Sequence, residues 1–207
     1  MYADYSHILK LAKPYLNIRK NDIHTEIVYR YACLLMKSEP ADAAIVIPAV
    51  ICHDIGWSQV PEELHLKAFG PHADPALTRL HEIAGVKLAQ DILLTIGYDK
   101  EKSSEILAII DGHDTRSTAL SHSDRIVKDA DKLFRFDKNG MEIDAERFQI
   151  NISSHADWLE QQIEKWFFTE IGKKLARAEL SLFWQQKAKQ SRKLPPVAHP
   201  AGAGEKH

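Results

Sequence analysis

Apolar residues recur every three or four positions along most of this chain, which is the spacing of one face of an α-helix. The clearest stripe combines Ile27, Val28, Tyr31 and Leu35. Stripes of this kind predict helices over about residues 3–12, 22–37, 78–96, 102–113, 122–135 and 144–190. No alternating pattern of the kind that a half-buried strand shows accompanies them.

Four local signals predict where these helices begin, break or end. Pro14 should end the first helix, because proline lacks the backbone N–H that continues the hydrogen-bond ladder. Asp22 is expected to cap the second helix, since a short carboxylate accepts hydrogen bonds from the first free N–H groups. The last helix should break near Gly172, and Asp-Lys-Asn-Gly at 137–140 predicts a turn.

The segment Ala41–Asp54 is apolar on every side, which predicts a buried helix that Pro48 kinks or tightens. A strand over Ala44–Cys52 is the rival interpretation, because isoleucine and valine are frequent there. The helical surroundings and the lack of a partner strand favour the helix. Residues 57–77 are rich in proline and glycine and predict an irregular excursion with one short helix near Glu62–Ala68.

Together these elements predict an all-α protein, a single-domain helical bundle over residues 1–194. Its core should cover about residues 20–135, with C-terminal helices over about 144–190. Residues 195–207 contain proline, glycine and alanine without an apolar period, which predicts a flexible tail.

Composition narrows the classes of partner and compartment. The 207 residues carry a formal net charge of −2, so we expect neither a general nucleic-acid surface nor binding to a membrane surface. No apolar run approaches the roughly 20 residues that cross a bilayer, and no signal peptide is evident at the N-terminus. The two cysteines, Cys33 and Cys52, lie in apolar runs and predict reduced thiols, hence a cytoplasmic protein. The oligomeric state is left open.

Several histidines and aspartates fall on the apolar faces of different predicted helices. An ionised carboxylate there costs several kcal/mol unless something compensates for it. One inward histidine is more often a hydrogen-bonded core residue than a ligand, but a whole set of imidazoles and carboxylates favours a shared cation. Nitrogen and oxygen ligands suit Mn, Fe, Co, Ni or Zn, and Mg where oxygen dominates. The candidate metal ligands are His24, His53, Asp54, His81, His113 and Asp129.

The order His24, His53-Asp54, Asp129 resembles the H…HD…D signature of the HD superfamily of metal-dependent phosphohydrolases, and His53-Asp54-Ile55-Gly56 resembles its HDIG form. The resemblance covers roughly residues 20–135. It implies the helical fold of that family and one or two divalent metal ions per chain.

The resemblance also implies roles. His24, His53 and Asp129 would hold one ion, His81 and His113 would match the extra histidines of the two-metal subset, and Asp54 would bridge the ions. In Val127-Lys-Asp-Ala-Asp-Lys-Leu133 the first aspartate matches the ligand, which leaves Asp131 a structural or supporting role.

Two departures from the family's patterns bear on the substrate. No GYP motif with paired histidines occurs, and Ile55-Gly56-Trp57 replaces the acidic pair that follows the HD motif in alarmone hydrolases. We therefore do not expect cyclic dinucleotides or alarmones as substrates.

The function predicted is hydrolysis of a phosphoester or phosphoanhydride in a small phosphorylated metabolite or nucleotide. Asp54 and Glu82 are the candidate catalytic residues, Glu82 for proton transfer beside His81. Candidates for binding the substrate phosphates are Arg79, Arg116, Arg125, Lys128 and Lys132. A di-iron oxygenase on the same fold and a non-catalytic metal-binding sensor module are the alternatives.

Overall fold

A computed structural model describes residues 5–68 and 73–191, and over those residues the chain is all-helical, without strands. Two 3₁₀ segments, Ile55–Gln59 and Glu62–Ala68, lie between the third and fourth α-helices. The α-helices are α1 (Ser6–Leu16), α2 (Asn21–Leu35), α3 (Ala43–Cys52), α4 (Pro75–Thr95), α5 (Lys100–Ile110), α6 (His122–Phe134), α7 (Lys138–Phe148), α8 (Ile152–Glu160), α9 (Ile163–Trp166) and α10 (Glu170–Ser191).

Helix α3 lies at the centre and packs against α1, α2, α5 and α6. Every residue from Ile45 to Cys52 is buried, and Asp42 caps the helix by accepting a hydrogen bond from the Ala44 N–H. Pro48 cannot donate to the carbonyl of Ala44 four residues earlier. The hydroxyl of Tyr98 donates to that carbonyl instead, at 2.6 Å. The buried helix is confirmed, and the alternative of a strand is wrong.

Two predicted boundaries near the N-terminus are wrong. Helix α1 continues through Pro14 to Leu16, with the proline inside its last turn. Helix α2 begins at Asn21 and has no side-chain cap, so Asp22 does not have the predicted role. The turn before α2 instead uses two successive left-handed residues, Arg19 at φ 54° and Lys20 at φ 57°.

The C-terminal part contains more helix breaks than its apolar period predicts. The turn predicted at 137–140 is instead the start of α7: Lys138, Asn139 and Gly140 are helical, and the Asp137 carboxylate caps the helix by accepting from the N–H groups of Asn139 and Gly140. The predicted helix over 144–190 is four helices, α7 to α10, with the first break at Gln149 in a left-handed conformation. The break predicted near Gly172 lies slightly earlier, between α9 and α10 at Phe167–Thr169, and Gly172 itself lies inside α10.

The main hydrophobic core of the described residues extends from Ile8 on α1 to Leu180 on α10, and a second, smaller cluster consists of Trp57, Val60 and Ala68. The main core therefore includes elements on both sides of the predicted central region.

Within the described residues no single helix is long and apolar enough to cross a membrane; only the bent pair Ala43–Gln59 and Glu62–Ala68, at 119°, meets length and composition criteria together. The predicted tail, 195–207, lies outside the described residues.

Candidate metal centre

Four imidazoles from four parts of the fold meet at one point. His24 lies on α2, His53 follows α3, His81 lies on α4 and His113 follows α5. The Nε2 atoms of His24 and His53 are 2.9 Å apart, and those of His81 and His113 are 3.3 Å apart. Asp54 lies between the two pairs: its Oδ2 is 3.4 Å from His24 Nε2, and its Oδ1 is 3.5 Å from His113 Nε2.

Two more carboxylates complete the cluster, one beside each imidazole pair. Asp131 Oδ1 on α6 is 3.3 Å from Nε2 of His24. Asp114 Oδ2 is 3.7 Å from Nε2 of both His81 and His113. Three groups with ligand atoms within 4.8 Å of one another result: His24, His53 and Asp131; His53, Asp54 and His113; His81, His113 and Asp114.

The donor chemistry of this cluster fits metal ions. The Nδ1 atoms of His53 and His113 lie 2.8 and 3.0 Å from the carbonyls of Val50 and Ile110, so each carries the ring hydrogen. In the neutral rings, Nε2 then presents a lone pair to the cluster. Lone pairs of imidazoles and carboxylates that converge at such distances repel one another unless a cation lies among them. The residues therefore suit one or two divalent ions with mixed nitrogen and oxygen ligands.

The pKa values of the cluster reflect the close approach of its imidazoles and carboxylates. Burial alone would raise the pKa of Asp54, but His53 and the other imidazoles hold it well below its usual range. Burial would lower the pKa of His113, yet the carboxylates of Asp114 and Asp54 raise it to about 9. Burial and the neighbouring His113 lower the pKa of His81 to about 4. The carboxylates thus stay ionised in a largely buried site.

Asp129 is not part of the cluster, which corrects the ligand set predicted from the sequence. Its Oδ1 accepts from the Phe168 N–H at 2.8 Å, and its Oδ2 accepts from the N–H and hydroxyl of Thr169 at 2.9 and 2.7 Å. Burial raises its pKa to about 6. Asp129 therefore anchors the start of α10. The side chain two positions further along α6 points about 200° away around the helix axis. Asp131 therefore faces the histidines, whereas Asp129 does not.

Gly56 allows α4 to bring His81 into the cluster. A Cβ at Gly56 would lie 1.9 Å from the carbonyl oxygen of His81 and 2.4 Å from the Gly85 nitrogen. Only glycine permits this approach of the 3₁₀ segment to α4. The next residue, Trp57, stacks on the His81 ring at 4.2 Å with an interplanar angle of 11°.

Glu82 fixes the loop that carries Asp114 and is not placed for proton transfer at the cluster. Its Oε1 accepts from the N–H groups of Asp114 and Thr115 at 3.0 and 2.9 Å. Its Oε2 accepts from the Thr115 hydroxyl at 2.7 Å and from Arg79 at 2.9 Å. With both oxygens engaged in a fully buried position, Glu82 orients the loop, so the predicted catalytic role is corrected to a positioning role.

Lys128 holds the same loop from the other side, from α6. Its Nζ donates to the carbonyls of Gly112, His113 and Arg116 at 2.9, 2.6 and 3.0 Å. All three hydrogens of the ammonium group therefore have protein acceptors. The predicted role of Lys128 in binding phosphate is corrected in the same way.

Of the other cations predicted to bind substrate, Lys132 reaches the cluster. Its Nζ is 3.1 Å from Asp131 Oδ2 and 3.5 Å from Asp114 Oδ1. Arg79 and Arg116 are engaged elsewhere: Arg79 pairs with Asp111 at 2.6 Å, and Arg116 pairs with Asp124 at 2.9 Å. Arg125 is exposed on α6.

A narrow cleft with a cavity volume of about 30 Å³ lies over the carboxylates of the cluster. Three arginines that the sequence analysis missed line it: Arg19, Arg135 and Arg147. Arg135 could have been found, because it follows Asp131 by four residues and so shares its helical direction. Arg19 and Arg147 carry no local signal, since the fold alone brings α7 against the turn before α2.

Comparison with known proteins identifies the family and a similar fold. The sequence pattern of the family described as HD domain matches residues 21–135. A crystal structure of a predicted HD superfamily hydrolase from an uncultured Thermotogales bacterium is similar, with a TM-score of 0.61 and 21% identity over 91% of this chain and 92% of that chain. A search of curated proteins found no match.

Proposed function

We propose that this chain, which belongs to the HD domain family, is a metal-dependent phosphohydrolase that cleaves a phosphoester or phosphoanhydride bond in a small phosphorylated metabolite or nucleotide. One observation carries the proposal: His24 and the carboxylates of Asp54, Asp114 and Asp131 line the same cleft as the guanidinium groups of Arg19, Arg135 and Arg147. Ligands for a Lewis acid and cations for phosphoryl oxygens are the two requirements of metal-assisted phosphoryl transfer.

The ligand residues are held in place before any substrate arrives. His24, His53 and Asp131 would hold one ion, His81, His113 and Asp114 the other, and Asp54 faces both groups. A bound divalent cation supplies Lewis acidity and lowers the pKa of a water molecule toward neutrality. The hydrogen bonds from His53 to Val50 and from His113 to Ile110 fix the ring orientations that binding requires.

The cations of the cleft favour a phosphorylated substrate over a neutral one. Arg135 and Arg147 both pair with the buried carboxylate of Asp144. Their Nη1 atoms lie 3.1 and 3.3 Å from its two oxygens. Arg19 and Lys132 add two further positive charges at the cleft and the cluster. Guanidinium groups match phosphate oxygens in pairs, so Arg135, together with the ammonium group of Lys132, would orient the phosphoryl group and stabilise its developing charge.

The first test measures metal and activity together. Protein purified without chelator is analysed for metals and screened against phosphorylated metabolites and nucleotides, beside the double variant His53→Ala, Asp54→Ala. We expect one or two equivalents of divalent metal and phosphate release in the parent, and loss of both in the double variant. His122→Ala is the matched control, because His122 pairs with Glu39 at the surface, 3.1 Å away.

Unchanged metal content and phosphate release in the double variant would refute the proposal. So would a parent protein that binds iron and consumes oxygen with an organic substrate but releases no phosphate from any compound.

A further inference from the structure

A second pocket adjoins the cleft and shares two of its arginines. It is lined by Arg19, Lys20, Ile143, Glu146 and Arg147, with a cavity volume of about 360 Å³. Arg19 and Arg147 line the cleft over the metal cluster as well. The two arginines therefore stand where the inner cleft meets this outer pocket, and the outer volume is within the roughly 300–1,000 Å³ of small-molecule sites.

The backbone that carries Arg19 is held in an unfavourable conformation. Arg19 and Lys20 are successive non-glycine residues with left-handed φ angles of 54° and 57°. Such residues persist where the surrounding structure fixes them, and they are frequent at ligand sites. Here the Arg147 Nη2 donates to the Arg19 carbonyl at 2.7 Å, and Lys20 pairs with Glu146 at 2.7 Å.

The Arg19 side chain is fixed as well. Its guanidinium carbon lies 4.3 Å from the centre of the Trp57 ring, and its Nη1 is 3.4 Å from the His65 carbonyl. Stacking on a buried indole limits how the guanidinium can turn, so its position is set before a ligand binds. The strained turn therefore places the side chain of Arg19 at the junction of the two pockets.

The charge of this junction favours an anion. Arg135 and Arg147 share one buried carboxylate, Asp144, and burial lowers the pKa of both Arg19 and Arg147 from their ordinary values. Cations that have lost part of their water gain more from an anionic partner than cations in bulk solvent. On the outer side, Lys20 and Glu146 neutralise each other, which leaves the two arginines as the attractive groups.

We propose that the substrate carries a second anionic group, of phosphate or carboxylate size, in addition to the phosphoryl group that is cleaved, and that Arg19 and Arg147 bind this second group. The inference rests on the proposed function, because the cleaved phosphoryl group lies at the metal cluster. Arg19 and Arg147 are then specificity-determining residues that discriminate bisphosphorylated or otherwise dianionic compounds from simple monophosphates.

The test uses non-hydrolysable probes, so that it reads binding without turnover. Protein loaded with Mn²⁺ and desalted is titrated calorimetrically with propane-1,3-bisphosphonate and hexane-1,6-bisphosphonate, and with the matched propyl and hexyl monophosphonates. We expect at least one bisphosphonate to bind roughly 10-fold more tightly than its monophosphonate, the net gain from the contacts of Arg19 and Arg147 with the second anionic group.

Arg19→Met and Arg147→Met should each remove most of that gain while leaving monophosphonate affinity within about 2-fold, because the two guanidinium groups bind the second anionic group together and the loss of either leaves little of the roughly 10-fold gain. Arg19→Met keeps the backbone carbonyl to which Arg147 donates, so it alters the side chain alone. Arg177→Met is the control for net charge, since Arg177 lies on α10 beside Glu164 and is 54% exposed. A variant that misfolds would bind neither kind of ligand and is recognised by that result.

Equal affinities for the mono- and bisphosphonates in the parent protein, or no binding of either, would overturn the inference. A bisphosphonate preference that survives in Arg19→Met and Arg147→Met would overturn the assignment to these residues. The proposed function fails separately, if the Mn²⁺ protein releases no phosphate from any substrate although the bisphosphonates bind.

Discussion

Two aspartates on one helix illustrate how much a single position decides in this protein. Asp129 and Asp131 are both on α6 and both lie in a segment that resembles the last motif of the HD family. Asp129 accepts three hydrogen bonds from Phe168 and Thr169, whereas Asp131 lies 3.3 Å from His24. Asp129 anchors a helix, and Asp131 belongs to the histidine–aspartate cluster that could hold metal ions.

Matched substitutions separate these two roles. We expect Asp131→Asn to lose most of the bound metal, because a neutral amide is a weaker ligand than a carboxylate, while its stability without metal changes little. Asp129→Asn should keep its metal and lose about 1–3 kcal/mol of unfolding free energy, since one amide hydrogen would face a backbone donor. Metal analysis and urea unfolding measure the two effects. The assignment is wrong if Asp129→Asn is the variant that loses metal.

At the scale of elements, the contact between the 3₁₀ segment Ile55–Gln59 and α4 determines whether the cluster can form. Gly56 and Gly85 lie against each other there, but they are not equivalent. A Cβ on Gly56 would overlap the His81 carbonyl at 1.9 Å, whereas a Cβ on Gly85 would meet its nearest neighbours at 3.5 Å, an ordinary contact. The glycine of the His-Asp-Ile-Gly sequence is thus needed for packing rather than for a turn.

Alanine at these two positions gives a direct comparison. Gly56→Ala should force α4 and His81 away from the cluster, which costs about 1–3 kcal/mol or more through overpacking and lowers metal content. Gly85→Ala should leave metal content unchanged and keep or raise stability by about 0.5–1 kcal/mol, because alanine is the better residue inside a helix. Thermal unfolding and metal analysis check both. Equal behaviour of the two variants would show that the close approach does not constrain the site.

Two helices, α4 and α6, position the loop between α5 and α6 through one buried side chain each. Glu82 of α4 engages its N–H groups, and Lys128 of α6 engages its carbonyls. Both side chains are buried and have their hydrogen bonds satisfied inside the fold. His113 and Asp114 are therefore positioned by two charged residues that never need to touch a substrate.

At the scale of the whole molecule, the domain is larger than the region that matches the family. The match covers residues 21–135, but the same hydrophobic core includes Ile8 before it and Leu180 after it. Helix α10 packs on α6, the helix that carries Asp131. The C-terminal helices are therefore part of the structure that supports the metal cluster, and we expect them to unfold together with it.

A pair of leucines on α10 tests this cooperativity. Leu180 is 4% exposed and Leu182 is 49% exposed. Leu180→Ala should cost about 2–5 kcal/mol of unfolding free energy, as a cavity in a shared core does. Leu182→Ala should stay within about 0.5 kcal/mol of the parent. Urea unfolding followed by both tryptophan fluorescence and circular dichroism should give one coincident transition. Two separate transitions would show that α10 folds independently of the core.

The sequence by itself determined the helical class, the buried central helix and most of the cluster. Helical spacing and burial of apolar faces are local properties, so the inward direction of His24, His53, His81 and His113 could be predicted from neighbouring residues. For the same reason Asp54 was identified by its place at the end of an apolar helix.

Only the tertiary structure decided the rest, because the deciding contacts join residues far apart in the chain. Whether Asp129 or Asp131 faces the histidines depends on where α10 begins, about 40 residues later. Whether Lys128 and Glu82 meet a loop or a substrate depends on which backbone groups the fold leaves without partners. Arg19 and Arg147 lie together because α7 packs against the turn before α2, 128 residues away. Such contacts are set by the packing of whole helices, which periodicity along the chain does not encode.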